Sequence, residues 1–281
     1  MYLYNASGII VRNAGQVIVA NSNNITVVGL NLSNASIGVE FYNVKNSRVE
    51  NSNITNNDYY GILIYGFYNT VTNSAITSNN YGIDIGGSNN TVTSSAITSN
   101  NYGINIEWGS NNTVTNSIIT SNSYGIDIDS DYNTVTNSAI TSNSYGIYIE
   151  YGSHNTVANS TITNNHNYGI YLNFSSDDLI YNNLFNNTNN VGIYNSFAYW
   201  NTTLRAGRNI VGGYMIGGNA WLSPNGTGFS QITPALPNDP YICDKPYVIS
   251  GNNIDYLPLK FLHEIKYTVY SITFTDSGLP A

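Results

Sequence analysis

One stretch of this chain is written five times. It reads NTVTNSAITSNNYGIDI from Asn69, NTVTSSAITSNNYGINI from Asn90, NTVTNSIITSNSYGIDI from Asn112, NTVTNSAITSNSYGIYI from Asn133 and NTVANSTITNNHNYGIYL from Asn155. The steps are 21, 22, 21 and 22 residues. A period this short, rich in Asn, Thr and Ile, predicts a solenoid whose coils stack on one another.

Apolar columns extend the repeat beyond those copies. Val27, Val49, Val71, Val92, Val114, Val135, Val157 and Ile180 form one, and Ile54, Ile76, Ile97, Ile119, Ile140, Ile162 and Phe185 a second. A third runs Ile62, Ile83, Ile104, Ile126, Ile147, Ile170 and Ile193, with another apolar residue two positions on from Ile64 to Leu172. Spacing of two is strand spacing. Each coil therefore holds about three short strands, bent at SNN and GGS-type turns. Parallel stacking at roughly 4.8 Å per coil places like residues above one another. Asn51, Asn73, Asn116, Asn137, Asn159 and Asn182 follow the Val column by two and are expected to form a stacked amide ladder. His166 adds a residue at one turn, which would account for the 23-residue step from Val157 to Ile180.

Composition narrows the partners. Charged residues are 9% of the 281, the formal net charge is −8, and no Lys or Arg lies between Val49 and Leu204. Nucleic acid and an anionic membrane surface are disfavoured, because phosphate neutralisation needs basic residues. The single cysteine, Cys243, excludes an intrachain disulfide, and no apolar run has the length of a membrane span. The opening MYLYNASGIIV shows no basic or apolar leader region. Sequons begin at Asn5, Asn24, Asn31, Asn34, Asn53, Asn89, Asn111, Asn159, Asn173, Asn186, Asn201 and Asn225, which marks N-linked glycans as expected partners and an extracellular, cell-surface location.

The repeats resemble those of the nitrous-oxide-reductase accessory copper-binding family and its archaeal surface relatives, over residues 8–204. That resemblance implies an all-β fold: a right-handed parallel β-helix of the pectin-lyase-like type with about 21–23 residues per coil. Residues 1–204 are read as the β-helix. Residues 205–264, with GGYMIGGNAW and a Pro- and Gly-rich run, resemble the irregular C-terminal cap of such proteins. Residues 265–281 are expected to hold a terminal β-strand, similar to the first strand of an immunoglobulin-like repeat in archaeal surface proteins. It either opens such a domain or is donated to a neighbour, with Tyr267, Val269, Tyr270, Ile272 and Phe274 as assembly residues.

Two outward columns carry acids. Asp84, Asn105, Asp127, Tyr148 and Tyr171 alternate with the inward Ile pairs and are expected to face solvent. Glu107, Asp129 and Glu150 follow on consecutive coils, either as a calcium site or as a solvated acidic stripe with raised pKa values. Tyr60, Tyr81, Tyr102, Tyr124, Tyr145 and Tyr168 make a tyrosine ladder that either stiffens the solenoid or stacks on sugar rings.

Chemistry beyond that is sparse. A lyase needs a base near calcium, and only Arg205 and Arg208 lie close to the coils. A hydrolase needs paired carboxylates; Asp177–Asp178, with Asp129 and Asp131 earlier, is the available set. His154, His166 and His263 are scattered and Met215 is the one internal methionine, so copper does not carry over from the resemblance. The sequence therefore reads as a non-enzymatic, structural cell-surface β-helix, a homopolymer joined end to end into a filament or surface layer. A carbohydrate-binding or adhesive module that takes polysaccharide is the alternative, and polysaccharide cleavage the third reading.

Overall fold

The computed structural model describes residues 1–262. Three parallel sheets of 10, 10 and 9 strands run the length of the solenoid, and each coil after the first contributes one strand to each. We name them by their commonest sequence: Tyr-Gly-Ile (for example Tyr81–Ile85), Thr-Val-Thr (Thr91–Thr93) and Ala-Ile-Thr (Ala96–Thr98). Register follows the repeat residue by residue. Tyr81 pairs with Tyr102, Val92 with Val114 and Ile97 with Ile119. The Val and Ile columns point inward and are fully buried up to the last coil, where Ile193 is partly buried, so one hydrophobic core fills the tube.

A tube this narrow has turns that bury backbone N–H groups, and each needs an acceptor. Three inner polar ladders supply them. One runs Ser47, Asn69, Asn90, Asn112, Asn133, Asn155 and Asp178; in it the Asn90 N–H donates to Asn112 Oδ1 at 2.8 Å. A second is built from Ser52, Ser74, Ser95, Ser117, Ser138 and Ser160, and continues through Asn183 and Asn219 to Asp255. The third holds Asn57, Asn79, Asn100, Asn122, Asn143, Asn165 and Asn187. Within each ladder a backbone N–H of one coil donates to a side-chain oxygen of the next. The Asn and Ser richness is therefore structural.

The ladder expected at Asn51 through Asn182 differs from these. Those residues sit at a turn in the left-handed region, from φ 47° at Asn73 to 54° at Asn159 and Asn182. Asn tolerates that conformation better than most residues. Only the upper end of the column shows the expected amide pair, Asn182 Nδ2 to Asn159 Oδ1 at 2.6 Å.

Residues after Tyr199 close the far end. The repeat breaks in sequence at Arg205, yet Ala220–Leu222 adds one more strand to the Ala-Ile-Thr sheet, beside Leu184–Asn186. Trp200 and Trp221 then plug the core; Trp221 stacks on Phe185 with ring centroids 4.8 Å apart. Over them lie the short helix Phe229–Ile232 and the hairpin of Tyr247–Ser250 with Asn253–Asp255. Asp255 is fully buried and locks the cap: its Oδ2 accepts from Asn219 N–H (2.7 Å) and Trp221 Nε1 (2.8 Å), its Oδ1 from Leu257 N–H (3.0 Å). Tyr267, Val269, Tyr270, Ile272 and Phe274, and His263, lie outside the described residues.

Candidate functional site

The outer face of the Tyr-Gly-Ile sheet is where the repeat stops being uniform. Its first column is the tyrosine ladder. Tyr81, Tyr102, Tyr124 and Tyr145 stack nearly parallel, with centroids 4.7, 4.9 and 5.2 Å apart and planes within 7°. Tyr60 and Tyr168 extend it with planes tilted by 28°. The following glycine is forced: a Cβ on Gly103 would stand 2.5 Å from Gly125 O.

The second column departs from expectation. Asp84 and Asn105 lie on the outer face but are only 4% and 3% exposed. Aromatic rings crowd this face on both sides of the column. Tyr65 leans over Gly86, and Tyr148 packs edge-on against Tyr124 and Tyr145. Asn105 Nδ2 donates to Asp84 Oδ1 at 2.9 Å. Burial pushes the Asp84 carboxyl up to about 6, against the pull of that bond. Burial, then the charges of Glu150, Asp129 and Glu107, push Asp127 up to about 7. These two carboxyls can hold a proton near neutral pH.

Glu107, Asp129 and Glu150 form the third column, one per coil. Glu107 Oε2 accepts from Trp108 Nε1 at 3.0 Å, and Glu150 Oε1 from Asn173 Nδ2 at 2.7 Å. Burial and the two glutamates raise Asp129 above the usual carboxylate range. Among the described residues no group of three or more His, Cys, Asp or Glu side chains is placed to hold a metal ion.

A fourth column was not legible as a site in the sequence. From the last inward residue of the Tyr-Gly-Ile strand to the next Val, coils take either seven steps (Ile85 to Val92, Ile128 to Val135) or eight (Ile106 to Val114, Ile149 to Val157, Leu172 to Ile180). Gly109 stacks on Gly87 and Gly152 on Ser130, which leaves Trp108 and Tyr151 as the extra residues. Phe174 takes the same place one coil on and stacks on Tyr151 at 5.6 Å. All three are exposed, Trp108 at 80%. His166 thus explains only one of the two added residues in the 23-residue step; Phe174 is the other. The signal lay in the repeat length: every long turn from Trp108 onward carries an aromatic.

Across the sheet, then, the face reads tyrosine ladder, buried or half-buried acid or amide, half-exposed to exposed acid, exposed aromatic. The other candidates lie elsewhere. Asp178 ends an inner ladder, accepting from Asn155 N–H at 2.9 Å, while Asp177 holds a left-handed turn. Asp131 Oδ1 accepts from Ser153 N–H at 2.7 Å. Arg205 bonds Tyr181 Oη at 3.3 Å, and Arg208 faces Asn137 and Asn159, away from the strip. Among the sequons, Asn5, Asn24, Asn31, Asn34, Asn53, Asn111 and Asn225 are exposed, whereas Asn89, Asn159, Asn173, Asn186 and Asn201 are partly covered.

Strand order and parallel register define a right-handed parallel β-helix. The chain belongs to the family described as "Periplasmic copper-binding protein (NosD)", which matches residues 1–115 and 69–226. Among solved structures it resembles the Dettilon tailspike protein (14% identity, TM-score 0.58, 80% of this chain and 54% of that one). It also resembles the A-module of mannuronan C-5 epimerase AlgE6 from Azotobacter vinelandii (15%, 0.56, 65% and 60%). A third is tailspike protein 2 of Escherichia coli O157:H7 bacteriophage CAB120 (13%, 0.55, 89% and 42%). The chain thus spans between about two fifths and three fifths of those proteins' lengths, and at such identities the likeness is one of fold. Among curated proteins none matches in sequence. No helix among the described residues is long and apolar enough to cross a membrane.

The family's copper does not fit the donors present. Cys243 is the one cysteine, and burial pushes its thiol up to about 12, which keeps it neutral. His154 stacks on Tyr132, and His166 Nδ1 lies 3.1 Å from Asn143 O. No step is derived through that metal.

Proposed function

We propose that this chain is an extracellular carbohydrate-binding β-helix that lays a polysaccharide along the outer face of its Tyr-Gly-Ile sheet. One observation carries the reading: three of the four added residues, Trp108, Tyr151 and Phe174, fall at one turn beside the acid strip, opposite the tyrosine ladder, while His166 alone lies at another. Insertions confined to one face of a solenoid mark its binding face. Aromatic faces suit the C–H surfaces of sugar rings, and the carboxyl and amide groups between them suit hydroxyls. The family's periplasmic description and the density of sequons support a location outside the cytoplasm.

The test is a glycan array. Wild-type chain should bind, and replacing Tyr102, Tyr124 and Tyr145 together with Ala should weaken binding at least tenfold. Trp108→Ala with Tyr151→Ala should do the same. Retained binding in both variants, or none by the wild type, overturns the reading.

A self-assembling filament or surface-layer subunit is the second reading, favoured by a coil surface with no Lys or Arg from Val49 to Leu204 and therefore little charge repulsion. Its joint would involve residues 265–281. Deleting them should leave monomers, and filaments of unchanged abundance from that variant would sink it.

A further inference from the structure

The exposed-acid column ends at Gly86, the position that Glu107 occupies one coil later. There the face opens into a hollow of about 520 Å³, walled by Tyr42, Tyr65 and Phe67 and floored by Gly66, Gly86 and Gly87. Asn21 and Asn43 close its rim, joined by a bond from Asn43 Nδ2 to Asn21 Oδ1 at 2.8 Å. The size falls within the range of small-molecule clefts, roughly 300–1,000 Å³. Packing requires the floor glycines, and the Tyr65 ring lies over Gly86. A Cβ on Gly86 would stand 2.1 Å from Tyr65 Cε1, and one on Gly87 would stand 1.9 Å from Gly66 O. The coil has no side chain where the next coil carries Glu107. Three aromatic side chains remain exposed around that gap, Tyr42 at 58%, Tyr65 at 37% and Phe67 at 41%.

We propose that this hollow is the terminal subsite of the strip and takes one neutral pyranose at the end of a polysaccharide chain. The inference rests on the strip being a carbohydrate site and adds where the chain ends and which sugar class it takes. Continuity is the first argument: Tyr65 borders both the hollow and Asp84's row, and the charges of Asp84 and Glu107 reach its hydroxyl. Charge is the second. Lys45 Nζ sits 5.9 Å from the Phe67 ring centroid on one side, while Asp84 and Glu107 lie on the other. A uronate meets the carboxylates and an amino sugar meets the lysine, so a neutral ring is the ligand that neither side repels. Aromatic walls around a small glycine floor suit the apolar face of such a ring.

Titration calorimetry on the full chain tests this with gluco-, galacto- and manno-oligosaccharides, oligogalacturonate and glucosamine oligomers. We expect a neutral oligosaccharide to bind best, and Tyr42→Ala and Tyr65→Ala each to weaken it at least fivefold. Tyr42→Phe and Tyr65→Phe should stay within twofold, and unchanged unfolding midpoints exclude a folding defect. If Tyr102→Ala and Tyr124→Ala weaken binding while Tyr42→Ala and Tyr65→Ala do not, the subsite falls and the strip stands. If only the hollow variants matter, the hollow is a separate sugar site and its place as the end of the strip is overturned. Preference for oligogalacturonate or glucosamine overturns the sugar class, and a wild type that binds no neutral sugar overturns the proposal.

Discussion

Two sheets of the same solenoid treat their outer faces differently. Along the Thr-Val-Thr sheet the outward row is Thr70, Thr91, Thr113, Thr134 and Thr156, unchanged for five coils. In the Tyr-Gly-Ile sheet the corresponding row is Leu63, Asp84, Asn105, Asp127, Tyr148 and Tyr171, different at nearly every coil. Over those coils the inward residues of both sheets stay Val, Ile or Leu. Stacking alone therefore does not demand variation, since the first sheet stacks without it. A row that drifts between two conserved ones has been left to meet something other than its own neighbours.

The sharpest way to break that comparison is to disturb the polar ladders on which every coil rests. Asn122 Oδ1 accepts from Asn100 N–H (2.9 Å) and Nδ2 (3.1 Å), while its own Nδ2 donates to Ile97 O, Thr120 O and Asn143 Oδ1. Asn122→Ala orphans several buried groups at once and should cost on the order of 3–5 kcal/mol in urea unfolding. Asn122→Asp keeps the acceptor but loses the donor, and should also destabilise. A loss under about 1 kcal/mol in both would mean the ladders are decoration and the composition needs another cause.

Next in size is the dependence on pH. Asp84 and Asp178 stand near 6, Asp127 and Asp255 near 7, all raised first by burial. An unfolded Asp ionises near 3.9. Below that value both states are protonated and stability is fully present. As pH rises towards 6–7 the unfolded chain ionises first, and stability is lost. The protein should thus unfold at lower denaturant at pH 8 than at pH 4, by on the order of a few kcal/mol. Asp178→Asn, at a ladder end where only an acceptor is needed, should flatten part of that slope. A stability maximum at pH 8 would show that the hydrogen bonds to these carboxylates outweigh their burial.

How much of this the sequence carried depends on the distance over which each feature is decided. The Val and Ile columns gave coil, strand and register, because parallel stacking turns a repeat directly into a contact. The tyrosine ladder was legible for the same reason. The amide ladders were misplaced: Asn51 and its column and Asn122 and its column both recur once per coil, and only the turn geometry separates a left-handed corner from an inward amide. Burial of Asp84 was hidden because strand spacing gives the face of a residue and not how crowded that face is. Nor did the sequence show that Ala220–Leu222 rejoins a sheet, since its partner strand, Leu184–Asn186, is more than thirty residues away.

The smallest expected effect on stability is the one that sharpens the comparison most. Deleting Trp108 converts a 22-residue coil into a 21-residue one, as in the units that begin at Asn69 and Asn112. Gly109 already stacks on Gly87 in the way Gly87 stacks on Gly66, so the shortened turn has a template one coil below. Trp108 is 80% exposed and contributes little core. Its Nε1 bond to Glu107 lies in solvent, where such bonds add about 1 kcal/mol or less. Unfolding should shift by less than about 1 kcal/mol, whereas polysaccharide affinity should fall several-fold. Loss of both would make the inserted aromatic a structural part of the coil; loss of neither would return the variable face to the same standing as the threonine rows.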